Sequence, residues 1–300
     1  MFSGKVPLWM FYAVGAYFVF FMVGVGLLYW WRIWRRKERP PEKFRLLRGP
    51  GETLRRRVQK ADEDLFLYVS LAAFAPLFLG WSVLAIVARL PKAFVLPGAG
   101  FALLVFGGAL IAAGSLLFRF LHRRRNDFLG YLGERLVSEY LEPLISQGYR
   151  VFHDVPAEGR QKRFNLDHVT VGPTGIAVIE TKARRKKKGR EGFAEHEVTS
   201  DGNRLIWPWG EEDLCIEQVQ AEADWLRAWI FKKTAIRTDP KPIVVIPGWY
   251  VKERAIGAVR VTNQKLLTSM LTQWKPQPLK PEQVDLICRQ LDDRCRDVED

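Results

Sequence analysis

Three long runs without a charged side chain constrain this fold more than any other feature of the sequence. They cover about residues 8–31, 66–88 and 94–118. At about 1.5 Å per helical residue, each run is long enough to cross the roughly 30 Å hydrocarbon core of a bilayer. Buried core helices are the alternative, but runs of this length favour membrane spans. We therefore predict three transmembrane helices within residues 1–126, with the lipid bilayer as a partner.

The positive charge of the chain is confined to this same part. Residues 1–126 contain 19 Lys and Arg against 6 Asp and Glu, whereas residues 127–300 contain 27 of each. The formal net charge of +13 therefore does not describe a uniformly basic soluble domain. Three cysteines in 300 residues also exclude a secreted disulfide scaffold.

The distribution of Lys and Arg predicts the orientation of the spans, because cytoplasmic loops are enriched in both. The loop predicted at residues 32–65 contains twelve of them, and four arginines follow the third run at 119–125. We predict a multi-pass protein of the cell (inner) membrane, with its N-terminus outside and its C-terminal domain cytoplasmic. Nucleic-acid binding is the alternative reading of these basic residues.

The remainder of the chain alternates between helical and strand patterns, which indicates an α/β domain over residues 127–275 and a helical tail over residues 276–300. The predicted helices cover residues 127–147, 212–232, 263–274 and 281–295. The predicted strands cover residues 149–155, 164–171, 175–181, 195–199, 204–207, 241–246 and 258–262.

A turn signal at Gly172–Gly175 gives the first indication of chemistry. If Pro173 and Thr174 form a two-residue turn, the register places Asp167 directly opposite Glu180 on one face of the hairpin. Lys182, two residues beyond Glu180, points to that same face. A one-residue bulge at Gly175 would instead shift the register and separate the two carboxylates.

Two opposed carboxylates beside an ammonium group are suited to phosphodiester hydrolysis. Mg²⁺ binds one or two protein carboxylates together with water and substrate phosphate, and Mn²⁺ serves as a substitute. The lysine can orient the attacking water or neutralise charge on the phosphorane. The alternative is a solvated face without a ligand, since Glu-x-Lys is common by chance.

Several motifs together resemble a known family, the nuclease-related domain (NERD). They are Gly133-Glu134-Arg135-Leu136-Val137 in the first predicted helix, Asn165-Leu166-Asp167-His168-Val169 in one strand, and Val178-Ile179-Glu180-Thr181-Lys182 in the next, followed by Gln218. The resemblance covers roughly residues 127–271. It implies a restriction-endonuclease-like mixed sheet flanked by helices and a PD-(D/E)xK-type site. One departure is that Leu214-Cys215 stand where the family often has Asn-Pro.

The resemblance also implies roles for these residues. Asp167 and Glu180 would hold the metal, Lys182 would serve the attacking water, and Glu134 and Gln218 would complete the catalytic set. The basic segment that follows is a candidate for binding nucleic acid. It comprises Arg184, Arg185, Lys186, Lys187, Lys188 and Arg190.

These inferences predict a membrane-anchored nuclease that hydrolyses DNA or RNA on the cytoplasmic side with Mg²⁺ or Mn²⁺. A catalytically inactive nucleic-acid-binding or scaffold module tethered to the membrane is the alternative, and the neutral charge of residues 127–300 favours it slightly. A membrane protein with a vestigial nuclease-like site is a third reading.

Overall fold

A computed structural model describes residues 8–35, 45–159, 163–192, 194–273 and 279–298. Within these ranges the chain forms six α-helices and eleven strands. The helices are α1 (Leu8–Arg35), α2 (Glu52–Val87), α3 (Lys92–Leu141), α4 (Leu214–Thr234), α5 (Gln264–Gln273) and α6 (Pro281–Arg294), and a 3₁₀ helix (Glu142–Gln147) follows α3.

The strands are short, except for three consecutive ones in the middle of the chain. They are β1 (Arg45–Leu47), β2 (Arg150–Glu158), β3 (Arg163–Gly172), β4 (Gly175–Thr181), β5 (Glu197–Ser200), β6 (Leu205–Trp207), β7 (Gly210–Glu212), β8 (Lys241–Val245), β9 (Tyr250–Glu253), β10 (Arg260–Thr262) and β11 (Arg296–Val298). The chain divides into two compact units, one of residues 1–42 and 57–125, the other of residues 43–56 and 126–300.

The first unit contains the apolar helices. α1, α2 and α3 each contain a segment long and apolar enough to cross a membrane, with mean hydropathies of 1.9, 2.0 and 2.3. Aromatic side chains pack α1 against α2, where the ring centroids of Phe21 and Phe74 lie 4.1 Å apart. Gly80 permits close approach of α3, because a Cβ there would lie 3.0 Å from the Cβ of Phe106. The chain therefore has three candidate membrane-spanning helices, as predicted.

The second unit is built on two mixed sheets, which confirms the predicted α/β class. The larger sheet has the order β10-β8-β4-β3-β2, with β2, β3 and β4 antiparallel and β4, β8 and β10 parallel. The smaller sheet has the order β7-β6-β5-β9. A third pairing joins β1 to β11 antiparallel, so residues 45–47 pair with the end of the described chain.

Helices cover both faces of the larger sheet because its central strands are apolar on both sides. On one face, Val178 and Val244 belong to a core that includes Leu226 of α4 and residues of α6. On the other face, Ile179 belongs to a core with Val137 of α3 and residues of α5. Strands that are buried on both faces have nearly continuous apolar sequences, as β4 and β8 do.

The structure differs from the sequence-based expectations in two ways. Residues 127–147 are helical as predicted, but they do not form a separate helix, because α3 runs unbroken from Lys92 to Leu141 and a 3₁₀ helix continues it over residues 142–147. α2 begins at Glu52, within the range predicted as a loop, and residues 36–44 of that range lie outside the described residues. Strands β1, β7, β9 and β11 were not predicted. The predicted domain limits stay a prediction.

Candidate active site

The hairpin of β3 and β4 sets the geometry of the candidate site. Gly172 pairs with Gly175 and His168 with Ile179, so the turn contains two residues and the predicted register is correct. Gly175 has a φ of +112°, a conformation that a side chain would strain. Continuing this register places Asp167 opposite Glu180. The alternative of a one-residue bulge at Gly175 is thereby wrong.

Asp167 and Glu180 lie at the end of the paired region, where the ladder opens. The carboxylate Oδ2 of Asp167 accepts a hydrogen bond of 2.7 Å from the backbone N–H of Thr181. Glu180 is 4 % exposed, and its Oε2 has no hydrogen-bond partner among the described residues. The buried carboxylate of Glu180 can therefore accept either a cation or a hydrogen bond from the carboxyl of Glu222, which also interacts with it.

Lys182 connects these carboxylates to helix α4. Its Nζ lies 2.8 Å from Glu180 Oε1 and donates a hydrogen bond of 3.0 Å to Gln218 Oε1. Burial lowers the pKa of Lys182, but the charge and hydrogen bonding of Glu180 outweigh burial and leave the pKa raised. The ammonium group therefore stays protonated at neutral pH, as a donor rather than a base.

Glu222 is a site residue that sequence reasoning missed. It lies one helical turn after Gln218 on α4, is 2 % exposed, and accepts a hydrogen bond of 2.8 Å from Gln218 Nε2. Burial, followed by the charge of Glu180, raises the pKa of Glu222 to about 9. A carboxyl group buried on an otherwise apolar helix face was the signal available in the sequence.

Four acidic residues converge on this point. Burial raises the pKa of Asp167 well above its usual value, and the charges of Glu180, Glu134 and Glu222 raise it further. Glu134 is 6 % exposed and comes from α3. Its neighbour Gly133 permits this approach, because a Cβ there would lie 2.7 Å from Ala183 Cβ.

All five predicted catalytic residues therefore lie in one region of the second unit, although their roles stay a prediction. Glu134, Asp167 and Glu180 share an electrostatic environment, and Lys182 bridges Glu180 to Gln218. Among the residues that the structure describes, no group of three or more His, Cys, Asp or Glu side chains has the arrangement of a metal site. The predicted site has only two protein ligands, Asp167 and Glu180, which is fewer than such a group contains.

The basic segment after β4 lies against the smaller sheet. Arg184 Nη2 forms an ion pair of 2.8 Å with Glu212 Oε1, and the indole Nε1 of Trp249 donates to the carbonyl of Arg184. Farther along, the ammonium group of Lys187 lies 5.7 Å from the ring centroid of Trp209. The other predicted nucleic-acid-binding residues are Arg185, Lys186, Lys188 and Arg190, of which Lys186, Lys188 and Arg190 are exposed.

Comparison with known protein families now adds to this geometry. The model of the family described as "Nuclease-related domain" matches residues 129–247. Residues 129–247 are a nuclease-related domain. The match includes every predicted catalytic residue and the whole basic segment, which confirms the resemblance inferred from the motifs. Comparison of the chain with curated proteins and with solved structures finds no match.

Proposed function

We propose that this chain is a membrane-anchored nuclease that hydrolyses phosphodiesters of DNA or RNA with a divalent cation. The observation that carries the proposal is the convergence of Glu134, Asp167 and Glu180 around the end of the β3–β4 hairpin, with Lys182 in contact with Glu180. This arrangement is what a PD-(D/E)xK-type site requires.

The charge of the site supports a resident cation. Burial and the charges of three glutamates raise the pKa of Asp167, so the site disfavours negative charge on this carboxyl unless a cation is present. A hard divalent ion such as Mg²⁺ prefers carboxylate oxygens, and Asp167 and Glu180 are the residues that would hold it. When bound, Mg²⁺ or Mn²⁺ would neutralise charge on the oxygens of the scissile phosphate.

The other side chains position the reacting groups. The protonated ammonium of Lys182 donates toward the site and is suited to stabilise negative charge that develops on the phosphate. Gln218 accepts one of its hydrogen bonds, and Glu222 holds Gln218 from the other side. The backbone N–H of Thr181 fixes one oxygen of Asp167, leaving the second oxygen for a cation.

Nucleic acid would reach this site across the basic segment of residues 184–190. The exposed cations Lys186, Lys188 and Arg190 begin four residues after Lys182. Phosphate contacts by such residues supply affinity that falls steeply with salt concentration. The apolar helices support anchoring in a membrane, and the basic loops support a cytoplasmic position for the domain.

The test is cleavage of labelled single- and double-stranded DNA and RNA by the full-length protein in detergent, with Mg²⁺, Mn²⁺ or EDTA. We expect metal-dependent cleavage that Asp167→Asn and Glu180→Gln each reduce at least 100-fold, because each removes one charge from the cation site. Asp285→Asn, which removes an exposed carboxylate from α6, is the matched control. Cleavage that persists in both site variants would contradict the assignment.

A catalytically inactive binding module is the second candidate, and one observation favours it. Glu180, a proposed metal ligand, already forms an ion pair with Lys182. This module would bind nucleic acid equally well with EDTA and would cleave none of the substrates. Calorimetric titration of the full-length protein with Mn²⁺ separates the two candidates, since the binding module predicts no heat that depends on Asp167.

A further inference from the structure

A groove of about 400 Å³ lies beside the C-terminal half of α4. Its lining residues define what we call the tryptophan groove, namely Glu158, Trp225, Ala228, Trp229, Lys232, Lys233 and Arg294. It combines two indole rings with three cationic side chains and one carboxylate. No role in the proposed hydrolysis accounts for it.

The aromatic part of the groove is held in a defined orientation. The rings of Trp225 and Trp229 are nearly parallel, with an interplanar angle of 16° and centroids 6.0 Å apart. Trp225 Nε1 donates a hydrogen bond of 3.1 Å to the carbonyl of Glu158, and Phe164 packs edge-on against the Trp225 ring. The guanidinium of Arg294 lies 5.2 and 5.4 Å from the two ring centroids. These rings therefore form a preorganised surface for a flat ligand.

The charge of the groove favours an anion. Lys232 and Lys233 are exposed, and neither has a carboxylate partner among the described residues. Arg294 approaches the exposed carboxylate of Glu158 only at 4.0 Å, while its Nε donates to the carbonyl of Pro156. Both lysines lie in the last turn of α4, where they also complement the helix dipole. Three cations against one carboxylate leave a local excess of positive charge.

The groove and the candidate active site share one face of α4. Gln218, Glu222, Trp225, Trp229 and Lys232 recur at three- and four-residue steps, so they form a stripe along the helix. At about 1.5 Å per residue, the two tryptophans lie roughly 10–17 Å along the axis from Gln218. A nucleic-acid strand several nucleotides long would reach from one position to the other.

We propose that the tryptophan groove binds an unpaired nucleobase and the adjacent phosphates of a single-stranded nucleic acid whose other part occupies the candidate active site. Aromatic side chains bind successive bases without sequence preference by stacking, and cations along the groove hold the backbone. The inference rests on the proposed function, which it extends by naming the substrate as single-stranded. A base inside a duplex is stacked between its neighbours and could not present its face to an indole ring.

The experiment measures binding rather than cleavage, so that an inactive chain still gives a result. Full-length protein in phosphatidylcholine nanodiscs is titrated in EDTA against a fluorescent 20-nucleotide oligo(dT), and anisotropy is read at several salt concentrations. The test variant is Lys232→Gln/Lys233→Gln. Lys265→Gln/Arg289→Gln removes two exposed cations from α5 and α6 and is the matched control.

We expect the test variant to bind the oligonucleotide about 10-fold more weakly. Its plot of log affinity against log salt concentration should have a slope reduced by about 1.4, since each phosphate contact with a single strand contributes about 0.7. Trp225→Leu should weaken binding to oligo(dT) but not to an abasic strand of equal length. Melting temperatures close to that of the unaltered protein establish that the variants are folded.

Four outcomes would overturn the proposal. One is an unchanged affinity and slope in the test variant, and another is an equal loss in both double variants. Tighter binding of a blunt duplex than of the single strand would exclude stacking of an unpaired base. Lysine-dependent binding to phosphatidylglycerol vesicles, without binding to the oligonucleotide, would assign the groove to an anionic membrane surface. Failure of cleavage with intact binding, by contrast, would contradict only the proposed function.

Discussion

Two facing histidines, one buried and one half-buried, predict that the second unit loses stability in mild acid. His153 of β2 and His168 of β3 face each other, with their Nδ1 atoms 2.8 Å apart and their rings at 87°. One Nδ1 must donate and the other accept, which requires the accepting ring to be neutral. Burial lowers the pKa of His153 to about 4, and burial together with the charge of His153 lowers the pKa of His168 well below 6.5.

The direction of this pH dependence follows from proton uptake by the unfolded chain. Between pH 6.5 and 4 an unfolded His153 is protonated while the folded one is not, so the free energy of unfolding falls as pH falls. A pKa lowered from 6.5 to about 4 means that, at pH 5, His153 alone reduces the free energy of unfolding by about 2 kcal/mol relative to neutral pH. His168 adds to this loss in the same direction. Above pH 6.5 the contribution is fully present.

The assay is denaturant unfolding of the full-length protein in detergent at pH 7.5 and pH 5, monitored by tryptophan fluorescence. His153→Gln retains a side chain that hydrogen bonds His168 but does not titrate, so the difference between the two pH values should shrink by about 2 kcal/mol. The exposed His196 provides the control His196→Asn, which should leave the difference unchanged. An undiminished pH dependence in His153→Gln would refute the reasoning.

Three further predictions concern buried charge and close packing. Asp154→Asn should lower the free energy of unfolding, measured in denaturant titrations, by about 3 kcal/mol. The reason is that Arg48, which lies 2.9 Å from Asp154, loses its buried counter-charge. An effect below about 1 kcal/mol would contradict this. Glu222→Gln should stabilise the protein increasingly as pH rises from 4.5 towards 9, because over that interval the folded carboxyl keeps its proton while the unfolded one loses it, which lowers the stability of the unaltered protein. Identical unfolding profiles across that range would exclude the raised pKa. Gly133→Ala should reduce cleavage, because a Cβ at this position would push α3 away from Ala183 and β4. Gly107→Ala is the control, since a Cβ there meets no atom within 4 Å. Equal activities of the two variants would show that the close contact at Gly133 does not position the site.

The parts of the site that depend on local chemistry could be predicted from the sequence. The two-residue turn at Pro173 and Thr174 fixed the register, and the register determined that Asp167 and Glu180 share a face. Gln218 came from the family resemblance alone. Glu222 was missed because a carboxylate on a helix usually faces solvent, and its burial depends on how α4 packs against β4 and β8.

The parts that depend on distant contacts could not be predicted. β1 forms only by pairing with β11, about 250 residues later, and neither three-residue strand has a recognisable pattern. The continuity of α3 was missed because the arginines at 119–125 indicated the end of a span, although charged residues do not end a helix. Propensity determines where a helix can continue, whereas hydropathy determines only which part of it lipid can surround.

The pairing of β1 with β11 restricts how the chain can thread through a bilayer. Residues 43–56 fold into one unit with residues 126–300, held by the strand pair and by Arg48 and Thr53 on Asp154. A single folded unit occupies one side of a membrane, so if the chain between residues 57 and 125 spans a membrane, it must cross an even number of times. This parity follows from the contacts that join residues 43–56 to the rest of their unit and requires no count of positive charges.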